Sequence, residues 1–118
     1  MKALPAVKIA PEAARYLRLP FVTLRPPEGP LCFWSPRPSG NYTADNHIGH
    51  EYAEALLRLA AERGEGAFLL TKLAVDMMEF GDAERDKGIV VGMMRRLGRS
   101  LAAPVAPAVR PLSWPTAA

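Results

Sequence analysis

The segment GAFLLTKLAVDMMEF, from Gly66 to Phe80, decides the fold because apolar residues occupy most of its positions. Its charged residues Lys72, Asp76 and Glu79 follow the i, i+4, i+7 spacing of one narrow stripe on a helix. The segment is too short to cross a bilayer, which requires about 20 apolar residues. A helix this apolar is typically buried on most sides by its neighbours. The segment therefore predicts the central helix of a small helical bundle.

Proline marks the boundaries of the helical region. Eight of the 12 prolines lie in residues 1–43, four lie in residues 104–118, and none lies between. Because proline removes a backbone donor and clashes with the preceding helical turn, helices are expected in the middle of the chain. Three parts follow: a Pro-rich N-terminal arm packed on the core (1–43), a helical core (44–103) and a Pro-rich extended tail (104–118).

A second long helix is predicted before the central one. Thr43 or Asp45 can cap its N-terminus by accepting a backbone N–H. Its apolar positions follow the period of one helix face, at Ile48, Tyr52, Ala55, Leu56, Leu59 and Ala60. Gly64 is the residue type that commonly ends a helix in a left-handed conformation.

A third long helix is predicted from Ala83 to about Ala103, after a stop and cap at Gly81 and Asp82. Glycines within this segment disfavour a helix, and residues 88–94 (GIVVGMM) are also compatible with a strand. If the segment is helical, Gly88 and Gly92 lie one turn apart. Small residues at that spacing predict close packing against another backbone.

The N-terminal arm predicts a short helix over Pro11–Leu19 and a β-hairpin. Its two β-prone runs are Phe21–Arg25 and Leu31–Trp34, separated by the turn-forming sequence PPEGP. An isolated hairpin is marginal in water, so we expect this one to pack on the helices. The predicted fold class is predominantly α (α+β), with a three-helix core and an extended C-terminal arm.

Charge distribution and cysteine content indicate how the parts of the chain attract one another and in which compartment the protein is expected. The net charge of +3 divides into +4 for residues 1–43, −4 for 44–81 and +3 for 82–118, so the basic ends can attract the acidic middle. Cys32 is the single cysteine, which excludes an intrachain disulfide and favours a small buried hydrophobe. Without a continuous apolar run near the N-terminus, we expect a cytoplasmic protein with no membrane partner.

Catalytic and metal-binding motifs have weak support in the sequence. Imidazole and carboxylate side chains are clustered at His47, His50, Glu51 and Glu54, at spacings that can place ligands around one ion. A metal-dependent enzyme is therefore one hypothesis, although a solvated helix face explains the same residues. No phosphate-binding loop or nucleophile elbow is present in the sequence. We expect a protein that is not an enzyme and has no cofactor.

A basic stripe on the third helix supports a different class of function. Arg95, Arg96 and Arg99 lie on its outer side and could contact phosphates, as in a small nucleic-acid-binding regulator. The alternative is a solvated face partnered by acidic residues of the first long helix. No helix-turn-helix spacing identifies a reading helix.

Large aromatic residues and paired methionines favour protein interaction as the main hypothesis. Trp34, Tyr42 and Trp114 lie in Pro-rich regions, where they can anchor the arms on the bundle or on another protein. Met93 and Met94 suit either a core or a contact surface. The sequence thus predicts a non-enzymatic interaction or assembly protein, a subunit or adaptor of a larger bacterial or phage complex. Its partner would be another protein or a second copy of itself.

Overall fold

The computed structural model describes residues 11–25 and 29–101, which form helices and one two-stranded antiparallel sheet. The elements are α1 Pro11–Tyr16, β1 Thr23–Leu24, β2 Leu31–Cys32, α2 Tyr42–Arg63, α3 Gly66–Phe80 and α4 Ala83–Ser100. The predicted helical fold with a small hairpin is confirmed. The predicted C-terminal arm (104–118) lies outside the described residues.

Helices α2 and α4 approach so closely that their backbones touch at glycine positions. A Cβ added at Gly49 of α2 would overlap the carbonyl oxygen of Ile89 in α4, and one at Gly92 would overlap the carbonyl oxygen of Asn46. Gly88 makes a further close approach to α2. The GIVVGMM segment is therefore helical, and its two glycines allow close backbone packing as the sequence predicted.

Local capping sets the ends of α2. Asn41 is the N-cap, since its side-chain oxygen accepts the Ala44 N–H at 2.9 Å. The prediction of a cap at Thr43 or Asp45 is therefore wrong. At the other end, Gly64 adopts the predicted left-handed conformation with φ of 64°, which favours glycine because other side chains are strained there.

Helix α4 begins at the predicted cap. The side chain of Asp82 accepts the backbone N–H groups of Glu84 and Arg85 at 3.0 Å each. These bonds satisfy two of the four N–H donors that a helix leaves free at its start. The helix ends at Ser100, short of the predicted Ala103.

Helix α1 is shorter than the predicted segment Pro11–Leu19. It ends at Tyr16, after which the N–H groups of Arg18 and Leu19 bond to carbonyls three residues earlier. This is the tighter pattern of a 3₁₀ turn. Because Pro20 disfavours helical geometry in the residue before it, the chain leaves the α-helix before reaching the proline.

The predicted hairpin is present but shorter than its sequence pattern. Thr23 pairs with Cys32 and Leu24 pairs with Leu31. Residues 26–28 of the connecting turn lie outside the described part of the chain. Cys32 is buried, as predicted, and its thiol donates to a backbone oxygen at 3.4 Å.

Aromatic side chains join the N-terminal segment to the helices. The ring of Phe21 lies 5.0 Å from the ring of Tyr52 and 6.2 Å from that of Trp34, measured between centroids. Burial of each large side chain stabilises the fold by roughly 1.5–3 kcal/mol. The largest fully buried side chains come from the hairpin region, α3 and α4: Trp34, Phe21, Leu69, Ile89 and Met93.

Helix α3 is not the centrally buried helix that the sequence predicted. Its buried residues are Leu69, Leu73 and Asp76, on one face. Four large apolar side chains are instead 47–87% exposed: Phe68, Leu70, Val75 and Met78. The cause is the close packing of α2 on α4, which leaves α3 to contact α2 and the hairpin region with one side only.

Two buried aspartates connect the N-terminal loops to the helices. Asp76, which the sequence places on a narrow polar stripe, is 5% exposed and accepts the backbone N–H of Phe33 at 2.7 Å. Asp45 accepts the backbone N–H and the hydroxyl of Ser39, both at 2.7 Å. The Ser39 hydroxyl and N–H lower the pKa of Asp45 below its ordinary value. Because the Asp45 carboxylate is hydrogen-bonded to Ser39 in the preceding loop, Asn41 caps α2 instead.

Candidate interaction surface

The outward face of α3 carries no charged side chain at its centre. Its central residues are spaced at i, i+4, i+7 and i+11 and are all exposed: Ala67, Thr71, Ala74 and Met78. Larger apolar side chains flank them, with Phe68 and Val75 on one side and Leu70 on the other. This arrangement departs from the usual amphipathic helix, because Asp76 is buried beside Leu69 and Leu73 while large apolar side chains on the opposite face meet water.

A groove of about 600 Å³ lies beside this face, between α3 and α4. Its walls are mostly apolar and are lined by Ala74, Met77, Met78, Gly81, Ala83, Val90 and Val91. The buried residues Trp34 and Asp86 also line it, and the exposed Lys87 stands at its side. Together, the outward face of α3 and this groove form what we call the α3–α4 surface.

The charge of Asp86 is fully engaged by the protein. Its Oδ2 accepts the indole N–H of Trp34 at 2.9 Å and the backbone N–H of Asp82 at 3.0 Å. Arg85 donates to both carboxylate oxygens, at 2.6 and 2.9 Å. Burial raises the pKa of Asp86, but the donors from Arg85, Asp82 and Trp34 outweigh it and hold the pKa below its ordinary value. This carboxylate therefore supports the groove and is not free for acid–base chemistry.

Three charged side chains border the α3–α4 surface. Lys72 and Glu79 lie seven residues apart along one edge of α3, and Lys87 lies on α4. None of the three forms a salt bridge with another described residue. Lys72 instead places its ammonium 5.8 Å from the ring centroid of Phe33. Lys72 and Glu79 lie on the flank of α3 next to the buried Asp76, whereas Lys87 is the charged side chain at the groove.

The predicted partner-binding residues lie in different environments. Trp34 is buried and anchors the N-terminal segment on the bundle, which was one of its two predicted roles. Met93 is also fully buried, so its side chain offers no contact area. Tyr42 is 49% exposed and Met94 is 47% exposed, whereas Trp114 lies outside the described residues.

The predicted metal ligands on α2 do not converge. Nε2 of His50 lies 2.7 Å from the Arg99 guanidinium, and the Glu54 carboxylate is ion-paired with another arginine of α4. His47 and Glu51 are exposed. Within the described part of the chain, no three His, Cys, Asp or Glu side chains are placed to hold a metal ion. The geometry gives the metal-enzyme hypothesis no support.

Two of the three predicted phosphate-binding arginines contact α2. Arg96 forms an ion pair with Glu54, and this bond lowers the pKa of the Glu54 carboxylate. Arg99 contacts His50. Arg95 is exposed. One acidic residue of the first long helix, Glu54, thus partners this face, so the alternative interpretation of the stripe holds for Arg96.

Sequence reasoning missed the exposed apolar face of α3 because it treated every apolar residue of that segment as core. The number of predicted helices and strands could have indicated this exposure. Three long helices and a short hairpin offer too few neighbours to surround one helix on all sides. The GIVVGMM glycines predicted close packing of this segment on another backbone, which the structure identifies as that of α2.

Comparison of the chain with protein-family models, curated proteins and solved structures found no significant match. Among the described residues, no helix is both long and apolar enough to cross a membrane. Function is therefore inferred from the chemistry of the α3–α4 surface.

Proposed function

We propose that the protein is a non-enzymatic interaction protein that binds an α-helix of another polypeptide chain at the α3–α4 surface. It would act as a subunit or adaptor of a larger bacterial or phage assembly. The observation that carries this proposal is the uncharged outward face of α3, where Met78 is 87% exposed beside an apolar groove.

Exposure of this apolar face to water is unfavourable in free energy. Covering a large apolar side chain contributes roughly 1.5–3 kcal/mol, so several half-exposed side chains provide a substantial driving force for association. Single exposed apolar residues are ordinary on a protein surface, but a contiguous patch beside a groove is typical of interaction sites. An amphipathic helix lying in an apolar groove is a common recognition mode.

The charge pattern favours a polypeptide over a nucleic acid as the partner. Phosphate binding requires several Lys or Arg side chains on one face, whereas the groove wall carries only Lys87. The nucleic-acid hypothesis remains a prediction for the α4 arginines, of which Arg96 and Arg99 are engaged by α2. Methionine suits the proposed contact because its flexible side chain adapts to a partner, as Met78 can here.

Partner binding by the Pro-rich arms and their aromatic anchors is kept as part of this proposal. Tyr42, at the start of α2, has an exposed ring and can extend the contact area. Trp34 supports the surface from beneath, since it lines the groove while bonded to Asp86. Trp114 remains a predicted anchor.

Site-specific photo-cross-linking tests the proposal. A photoreactive residue is placed at Met78, or at Leu101 as a matched control, in the cells that naturally make the protein. Leu101 is 85% exposed but does not line the groove. We expect a light-dependent polypeptide adduct at position 78, attached through a helical segment of the partner, and no such adduct at position 101.

The opposite results would overturn the proposal. Absence of a polypeptide adduct at position 78, or equal capture at both positions, would exclude a specific helix-binding surface. An adduct removed by nuclease would favour the nucleic-acid hypothesis instead.

A further inference from the structure

We infer that the chain's own Pro-rich tail, through residues 107–114, occupies the groove between α3 and α4 while no partner is bound. The inference goes beyond the proposed function and rests on it only in making the tail a competitor that a partner helix must displace. The tail lies outside the described residues. Its sequence, its length and the surface that leads to it support this position.

The polar residues of the tail are confined to one side of an extended chain. A Pro-rich segment favours polyproline II, which repeats every three residues. At that period one face carries every polar side chain of the tail: Pro104, Pro107, Arg110, Ser113 and Thr116. The other two faces are apolar and include Val109, Leu112 and Trp114. A groove can enclose these two faces and leave the third in water.

An uncharged track on α4 connects the groove to the start of the tail. Its positions share one face of the helix at spacings of three or four residues: Val91, Met94, Gly98 and Leu101. Met94 and Leu101 are exposed apolar side chains, and a Cβ added at Gly98 would meet no atom within 4 Å. The track therefore offers the tail an open apolar path from the end of α4 back to the groove.

The tail is long enough to follow this track. Leu101 lies ten residues after Val91, so the near end of the groove is roughly 15 Å from the end of α4. Residues 102–114 span up to roughly 40 Å as polyproline II, which leaves length to reverse direction. Attachment to the same chain gives the tail an effective concentration in the millimolar range. This favours the chain's own tail over a separate Pro-rich segment as the occupant.

The groove suits a Pro-rich segment in its chemistry. Segments in the polyproline II conformation bind in grooves lined by aromatic side chains, and Trp34 lines this one beside Ala74 and Val90. The Asp86 carboxylate at the groove is already engaged by Arg85, Asp82 and Trp34. Because proline has no N–H, a Pro-rich tail buries fewer donors that such a groove would leave unpaired.

Photo-cross-linking within the purified full chain tests this inference. A benzophenone residue replaces Trp114, one large aromatic side chain for another, and mass spectrometry maps the site of coupling after illumination. We expect coupling within the same chain to residues 74–78 or 90–91. The matched control carries the benzophenone at Ser113, on the polar face, and should couple to these residues several-fold less. The two positions have the same reach, so the difference reports which face meets the groove.

Two exposed alanines of α3 locate the contact. Ala74→Arg fills the groove and should remove most of the coupling from position 114. Ala67→Arg is the control, because Ala67 is exposed on the same helix but does not line the groove, and it should leave the coupling unchanged. Both side chains are exposed, so both variants should keep the helical circular dichroism of the parent.

Three results would overturn the inference. The first is absence of coupling to the groove from position 114, or equal coupling from positions 113 and 114. The second is coupling that persists in Ala74→Arg. The third is a product of twice the chain mass of 12.9 kDa in place of coupling within one chain, which would assign the groove to the tail of a second copy.

The two proposals can fail separately. If position 114 couples to the groove in the purified chain while position 78 captures no polypeptide in cells, the tail occupies the groove and the helix-binding function is wrong. If position 78 captures a partner helix while position 114 does not couple to the groove, the function stands and the inference about the tail is wrong.

Discussion

The indole N–H of Trp34 bonds to the buried carboxylate of Asp86 at 2.9 Å, which fastens the end of the hairpin to the first turns of α4. The two residues are 52 positions apart in the chain. This bond links the N-terminal segment to the wall of the groove, so the groove depends on correct docking of the hairpin.

Replacing Trp34 by phenylalanine should lower the free energy of unfolding by roughly 2 kcal/mol, because a hydrogen bond to a buried charge is lost. Chemical denaturation measures this change. As a control, Tyr42→Phe removes an exposed hydroxyl and should alter stability by less than about 0.5 kcal/mol. Equal free energies of unfolding for the Trp34 variant and the parent would show that the hydrogen bond to Asp86 makes no net contribution to stability.

Gly49→Ala should destabilise the protein by about 3 kcal/mol or more, since the new Cβ would overlap the α4 backbone at Ile89 and force the helices apart. The matched control is Gly98→Ala on α4, where no neighbour lies within 4 Å. That change should stabilise by up to about 1 kcal/mol through helix propensity. Thermal or chemical unfolding of both variants gives the comparison, and a neutral Gly49→Ala would contradict the close approach.

Stability should fall in acid through Asp45, whose pKa is held low by hydrogen bonds from Ser39. A carboxyl with a depressed folded pKa stabilises the fold fully above its unfolded pKa, about 3.9, and loses that contribution as the pH falls through the folded value. Asp45→Asn keeps an accepting oxygen but cannot ionise. Its free energy of unfolding should therefore depend less steeply on pH below about 4 than that of the parent protein. Identical pH dependence in the two proteins would show that Asp45 does not contribute to the loss of stability in acid.

The thiol of Cys32 should be unreactive in the folded protein because it is buried on strand β2 of the hairpin. Labelling with an aromatic disulfide reagent should be orders of magnitude slower than in denaturant and should follow opening of the hairpin. Rapid labelling under native conditions would contradict the described packing of β2.

Local signals explain which elements were predictable from the sequence. Proline and glycine positions, together with the cap at Asp82, gave α3 its observed bounds and α4 its observed start, since these effects act within one turn. Gly88 and Gly92 indicated close packing because small residues one turn apart allow backbone contact. The N-cap of α2 was predicted at the wrong residue because the Asp45 carboxylate accepts hydrogen bonds from Ser39 instead of from the helix N-terminus.

Burial was harder to predict than helix position because it depends on which elements pack together. Lys72, Asp76 and Glu79 share one stripe in sequence, yet Asp76 is buried since Phe33 of the hairpin supplies its donor. The exposure of Met78 follows because α2 packs closely on α4. Gly88 and Gly92 predicted a close contact for α4, but no local pattern identified α2 as the helix it would contact. The candidate surface therefore emerged only from the three-dimensional arrangement.

Oxidative footprinting of Met78 inside cells tests the central claim most directly, which is that a polypeptide covers the α3–α4 surface in the working protein. The reference is a free peptide containing residues 75–81, and the buried Met93 reports whether the chain is folded. We expect Met78 to oxidise several-fold more slowly than in the peptide, although it is 87% exposed in the isolated chain. Oxidation of Met78 at the rate of the peptide, with Met93 protected, would show that no polypeptide covers the α3–α4 surface.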